Sequence, residues 1–259
     1  MLKLIKYELI GKYKAFGILV AIAVILNLAL MSRRGIWPDA GLVAMSVFIA
    51  GLVSVVLLVW CIGLFSQDLY EDKGYLTYIL PQKGYAIVGS KIIVSLIAYI
   101  IIGIITGLFV VHFILTSADI NMQIINIAIM PFITKIFLTS LIGMCILSVS
   151  LLVNIYFSIS LTRMAITKKR GGKFAAFIVF IGISIITGLA ADGLQHLFPQ
   201  TVLVDFINGN FSTSIINFQS NTTIMNGVPI NISTSIFQFI LFWVFLFLTC
   251  YIVENKVDL

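Results

Sequence analysis

The sequence predicts an all-α membrane protein with six transmembrane helices, and three observations carry that expectation. Of 259 residues, 61% are hydrophobic and 10% charged, with a mean hydropathy of +1.14. Soluble domains carry about 25% charged residues, so this chain is too apolar to be solvated on every side. Its apolar stretches are continuous, and several reach the roughly 20 residues that a helix needs to cross ~30 Å of hydrocarbon. A spanning barrel would instead alternate apolar and polar residues in segments of about ten, an alternation this chain lacks. Finally, the lysines and arginines collect in alternate loops between the apolar stretches.

Residues 1–14, MLKLIKYELIGKYK, are too polar to span. Leu2, Ile5, Leu9 and Tyr13 share a helical face with Lys6 and Lys12 at its flanks, which predicts a helix lying in the membrane interface with lysine stems reaching the headgroups. A signal peptide would close on small residues, whereas the apolar run that follows is long and ends in NLALMSRR. The expected spans are 15–31, 40–65, 92–116, 136–161, 174–194 and 235–253. Segment 120–134, set apart from the fourth span by Pro131 and Lys135, reads as an interfacial helix. The longest connection, 195–234, is rich in Asn, Thr and Ser. Its glycosylation-like triplets at Asn210, Asn221 and Asn231 read as a polar outer loop with some short structure of its own. No internal repeat or soluble domain interrupts the single transmembrane domain expected for 1–259.

Thirteen of the 16 basic residues fall in one set of connections: Lys3, Lys6, Lys12, Lys14, Lys73, Lys83, Lys91, Arg163, Lys168, Lys169, Arg170, Lys173 and Lys256. The opposite set holds Arg33, Arg34 and Lys135. The positive-inside rule then places both termini and the loops 66–91 and 162–173 in the cytoplasm. The net charge of +6 thus reports orientation in a cell membrane, and the expected partner is the lipid bilayer, with no nucleic acid.

Catalytic chemistry finds little to stand on. Cys61, Cys145 and Cys250 lie inside apolar runs with no CxxC spacing, which argues against a zinc site or a disulfide framework. Asp192 and His196, at i and i+4, are too few ligands for a metal, and His112 stands far from them in sequence. No acidic residue falls at mid-span, where a proton- or sodium-coupled carrier would bury one. The polar and small residues inside spans are Ser150, Asn154 and Ser158, then Gly103 and Gly107, then Gly182, Thr187 and Gly188. They predict close helix approach and hydrogen bonds across helix interfaces, worth about 1 kcal/mol per polar contact.

The stretch FSQDLYEDKGYLTYILPQKGYAIVGSK, 65–91, is an unusual loop. Leu69, Tyr70, Tyr75, Leu76, Tyr78, Ile79 and Leu80 are too apolar for a solvated connector, while Asp68, Glu71 and Asp72 make its start acidic and Pro81 ends it. A short amphipathic helix with an acidic first turn is favoured by the helix dipole. Such an aromatic surface calls for a protein partner. Packing on the inner leaflet is disfavoured, because that surface is itself negative.

This stretch resembles the permease subunits of ATP-binding-cassette exporters of ABC type two. The residues that carry the likeness are Phe65, Asp68, Gly74-Tyr75-Leu76-Thr77, Leu80-Pro81 and Ser90-Lys91, supported by Tyr156-Phe157-Ser158-Ile159 before the basic loop and by the tail ENKVDL. The resemblance implies that 66–81 is a coupling helix seated on a separate ATPase subunit, with Asp68, Leu69, Glu71, Tyr75, Leu76, Thr77 and Tyr78 at the contact. It implies two permease chains, a homodimer, with two ATPase chains in a bacterial cell membrane. ATP and Mg would be bound by the partner and no cofactor by this chain. The lack of a G-x-x-x-x-G-K-[ST] loop agrees, since Gly171-Gly172-Lys173 is only a fragment of one. The expected cargo is hydrophobic or amphipathic, a peptide by preference, with Met45, Phe48, Trp60, Asn154 and Phe177 along a candidate path. The alternatives are an immunity or sensing subunit against antimicrobial peptides and, last, an intramembrane enzyme.

Overall fold

Each of the six apolar stretches forms a helix long and apolar enough to cross a membrane, which makes the chain a multi-pass membrane protein. The computed structural model describes residues 2–70, 84–117, 130–165, 172–198, 200–204, 215–217 and 228–255. The helices are α1 (Leu2–Met31), α2 (Asp39–Tyr70), α3 (Gly84–Ser117), α4 (Met130–Ala165), α5 (Gly172–Leu197) and α6 (Ile232–Asn255). Between α5 and α6 lie three strands, β1 (Gln200–Val204), β2 (Ile215–Asn217) and β3 (Val228–Asn231). The chain divides into two units, Met1–Leu152 and Val153–Leu259.

The helices outrun the apolar stretches that predict them. Residues 2–14 continue into the first span as one helix of 30 residues, about 45 Å at 1.5 Å per residue. The third helix begins at Gly84, and the helical part of the segment expected as loop thus includes 84–91. Pro131 and Lys135, expected to separate an interfacial piece from the fourth span, both lie in the first turns of α4. Proline is tolerated there because its missing N–H has no partner in a first turn anyway. Residues 120–129 of the expected interfacial helix lie outside the described residues. Hydropathy marks only the part of a helix that sits in hydrocarbon, whereas the backbone ladder runs on wherever propensity allows.

In the first unit, α1, α2 and α3 run up, down and up. The buried positions on α1 include Leu19, Ala23, Asn27 and Leu30; on α2, Leu42, Ser46, Val53, Leu57, Cys61 and Leu64; on α3, Lys91, Val94, Ala98, Ile102 and Thr106. Spacings of three and four put each set on one helix face, and the three faces meet in a common seam. At one end, Leu30, Leu42 and Phe113 close the seam, with Met31 and Phe109 packed against them. The α1–α2 link is a tight turn in which Gly35 takes φ of 84°, a left-handed conformation that glycine adopts without a Cβ penalty. Gly107 of α3 faces Phe137 of α4 so closely that a Cβ there would collide with the ring, whereas Gly103 has ordinary room beside Leu141.

In the second unit, Phe157 of α4 stacks on Phe245 of α6 with ring centroids 4.8 Å apart. The region expected as a polar outer loop holds an antiparallel sheet in the order β2-β1-β3. Some short structure is expected of this loop, and its short runs QTVLV, IIN and VPIN carry the β-branched residues that favour strands. Asn231, expected only as part of a glycosylation-like triplet, ends β3 and caps α6. Its Oδ1 accepts from Thr234 N at 3.1 Å and from Ser233 Oγ at 2.6 Å, while its Nδ2 donates to Phe198 O at 3.1 Å.

The hydroxyls inside the helices depart from expectation. Ser150 donates to Leu147 O, Ser158 to Asn154 O and Thr187 to Ile183 O, each within its own helix. With no water nearby, a hydroxyl takes the nearest carbonyl, one turn back. Among the described residues, nothing stands within reach of a Cβ at Gly182 or Gly188, so neither marks a close approach to them.

Two substitutions test these packing assignments. Asn231→Ala should cost about 1 kcal/mol by removing the cap. Amide exchange should accelerate in the first turn of α6 in that variant and stay slow in Asn231→Asp. Gly107→Leu should lower the melting temperature in detergent through overpacking of about 1–3 kcal/mol, while Gly103→Ala leaves it unchanged.

Candidate functional site

The chain buries a lysine where its predicted interface lies. Lys91, in the second turn of α3, is 1% exposed. Its Nζ donates to Glu8 Oε1 of α1 at 2.9 Å and to Leu64 O of α2 at 3.0 Å. One ammonium group therefore ties the starts of α1 and α3 to the last turns of α2. The neighbouring Ser90 is also buried and donates to Ile87 O at 2.8 Å. One helical turn along α1, Lys12 donates to Gln67 of α2. One turn further, Phe16 meets Trp60 with ring centroids 5.7 Å apart. Deeper in the seam, the Cys61 thiol lies against the Ser95 hydroxyl, and Tyr99 faces Ser148 of α4.

A buried ion pair contributes little net stability compared with apolar residues of similar volume, because both ions lose their water. Its effect here is on register. Apolar helices in lipid have no hydrophobic drive to associate, so packings shifted by a turn lie close in energy. Only one register brings Lys91 to Glu8, and any other strands a charge in an apolar setting. The junction therefore fixes α1 against the α2–α3 pair at the end where the 71–83 connection departs.

The residues implied as an ATPase contact divide at this point. Asp68 and Leu69 belong to the last turn of α2, and Leu69 is 1% exposed, an anchor of that turn within the unit. Glu71, Tyr75, Leu76, Thr77 and Tyr78 lie outside the described residues. Of the candidate cargo path, Met45 and Phe48 stand exposed on α2, Phe48 at 60%. Trp60 is half-buried and lines a cleft between α1 and α3. In the second unit, Asn154 Nδ2 reaches Ser184 Oγ of α5 at 3.5 Å, its Oδ1 is buried without a partner, and Phe177 is 58% exposed on α5.

The Glu8–Lys91 pair escapes sequence reasoning because Lys91 counts among the cytoplasmic basic residues that set topology. The available signal was Glu8 itself, an acid set three residues after Ile5 and one before Leu9 on the face read as apolar. The three cysteines are free thiols, and the described residues contain no group of three or more His, Cys, Asp or Glu placed to hold a metal. Asp192 and His196 share α5 and are both exposed.

Comparison with protein-family models, with curated proteins and with solved structures finds no match to this chain.

Removing one partner of the junction should be far worse than removing both. Lys91→Met leaves Glu8 without its cation and should cost about 3–5 kcal/mol. Glu8→Met combined with Lys91→Met should recover most of that loss, as read by thermal denaturation in detergent.

Proposed function

We propose that this chain is the transmembrane subunit of an ATP-driven exporter of ABC type two. It would work as a homodimer with two copies of a separate ATPase and move a hydrophobic or amphipathic cargo, a peptide by preference, out of the cell. The observation that carries the reading is the α2–α3 connection. Its sequence holds the Gly74-Tyr75-Leu76-Thr77…Leu80-Pro81 pattern between two long helices, and it opens onto the buried Ser90-Lys91 pair. A segment that receives a push must be joined stiffly to what it moves. The Lys91 junction supports the reading because it links both ends of that connection to α1.

On this reading both termini and the 66–81 segment face the cytoplasm, in keeping with the basic residues. Tyr75, Leu76 and Tyr78 insert into the ATPase as anchors, while Asp68 and Glu71 meet its basic groups. Leu69 holds the end of α2. ATP and Mg bind the partner alone. Helix α5 leaves Phe177, Ile178, Ile185, Ile186 and Leu189 exposed, a wide apolar surface suited to lipid or to the second permease chain.

The test has two stages. A membrane-impermeant thiol reagent should label a cysteine placed at Lys73 only after the inner face is opened. Tyr75→Ala with Leu76→Ala should then leave the chain inserted but abolish copurification of the ATPase and export of cargo. Labelling of residue 73 from the outer face, or unchanged export by the double variant, would refute the assignment.

A further inference from the structure

The cleft at Trp60 has the chemistry of a lipid site. It lies in the first unit between α1 and α3, with Lys12 and Tyr13 at one end and Phe16, Trp60, Ile97 and Ile101 along its walls. Its volume is about 120 Å³, room for several water-sized groups. That is too small for a peptide helix and enough for one bend of an acyl chain. Two polar features depart from the apolar lining. The Trp60 Nε1 is buried without a hydrogen-bond acceptor. A donor left unmatched inside a span is costly, so an acceptor from outside the chain is expected. The other is the Lys12 ammonium, held at the mouth by Gln67.

The order of these groups along the helices selects the occupant. Gln67, which marks the level of the Lys12 ammonium, is seven residues from Trp60, or about 10 Å along α2. From the mouth inward the cleft therefore offers a cation, then an N–H donor, then aliphatic side chains. A phospholipid presents a phosphate, then ester carbonyls, then an acyl chain in the same sequence. We infer that the cleft binds one anionic phospholipid, its headgroup at Lys12, an ester carbonyl near the Trp60 indole and an acyl chain against Ile97 and Ile101. The site does not depend on the exporter reading, since it needs only the bilayer that the six helices cross.

The chain has three tryptophans, so Trp37→Phe with Trp243→Phe leaves Trp60 as the sole reporter. This protein would be reconstituted in phosphatidylcholine vesicles containing either dibrominated phosphatidylglycerol or dibrominated phosphatidylcholine at equal bromine content. Trp60 emission should be quenched with an association constant about fivefold higher for the anionic lipid, the factor one lysine contributes at an anionic membrane. Lys12→Gln should remove the preference, and Lys12→Arg and Lys14→Gln should keep it. Equal quenching by the two lipids, absence of quenching by both, survival of the preference in Lys12→Gln, or its loss in Lys14→Gln would each overturn the assignment.

Discussion

Hydrocarbon offers no partner to a peptide group or a charge, so a chain this apolar must satisfy its polar atoms from within. The backbone does so by running as six long helices. Helix hydroxyls do so by turning back on their own carbonyls, as Ser158 and Thr187 do. Lys91 does so by taking a carboxylate from α1 and a carbonyl from α2. At the start of α6, Asn231 supplies an acceptor for an N–H that the helix cannot pair itself. The same rule that makes the fold class readable also makes each departure from it informative, and the Trp60 indole and Asn154 carbonyl are two of the buried polar atoms without a hydrogen-bond partner among the described residues, as are the Ser95 and Tyr99 hydroxyls.

The two ends of the α1–α2–α3 seam are held by different means. Leu30, Leu42 and Phe113 close one end by apolar packing, next to the tight turn at Gly35. The other end, where α2 and α3 separate, is held by the Glu8–Lys91 pair. Packing is non-directional and tolerates small shifts, whereas an ion pair requires one register. Placing the directional contact beside the 71–83 connection gives that end a defined geometry, the property that a contact with a moving partner requires. The exporter proposal draws on this arrangement together with the Tyr-Leu-Thr…Leu-Pro pattern.

The Trp60 cleft and the ion-pair junction lie within two helical turns of each other on α1, at Glu8, Lys12 and Phe16. Lys91 is buried against Glu8, and Lys12, held by Gln67, lines the cleft. Residues 2–14, expected as a separate interfacial helix, form the start of α1 and take part in the bundle through Glu8 and Lys12. Because α1 is continuous from Leu2 to Met31, it carries the register set at Glu8 to the position of Phe16.

Hydropathy alone was enough to read six spanning helices, because the cost of polar groups in lipid acts on composition residue by residue. It also placed Cys61, Cys145 and Cys250 inside apolar runs, and of these Cys61 and Cys250 are buried while Cys145 is half-buried. Helix ends were legible only in part. Propensity carried α1, α3 and α4 past their apolar stretches, and Pro131 proved compatible with a first turn. Hydroxyls expected to bridge helices were not legible as self-satisfied, since the choice between a neighbouring helix and the preceding turn depends on distance. Asn231 carried its signal in plain view as an Asn before an apolar run, but its pairing with Phe198 required β1 and β3 to bring the chain back. Lys91 marks the boundary most clearly. Sequence established its charge and its place near a helix start, while its pairing with a residue 83 positions away was decided by tertiary structure, because only the docking of α1 beside α3 brings a carboxylate within 2.9 Å.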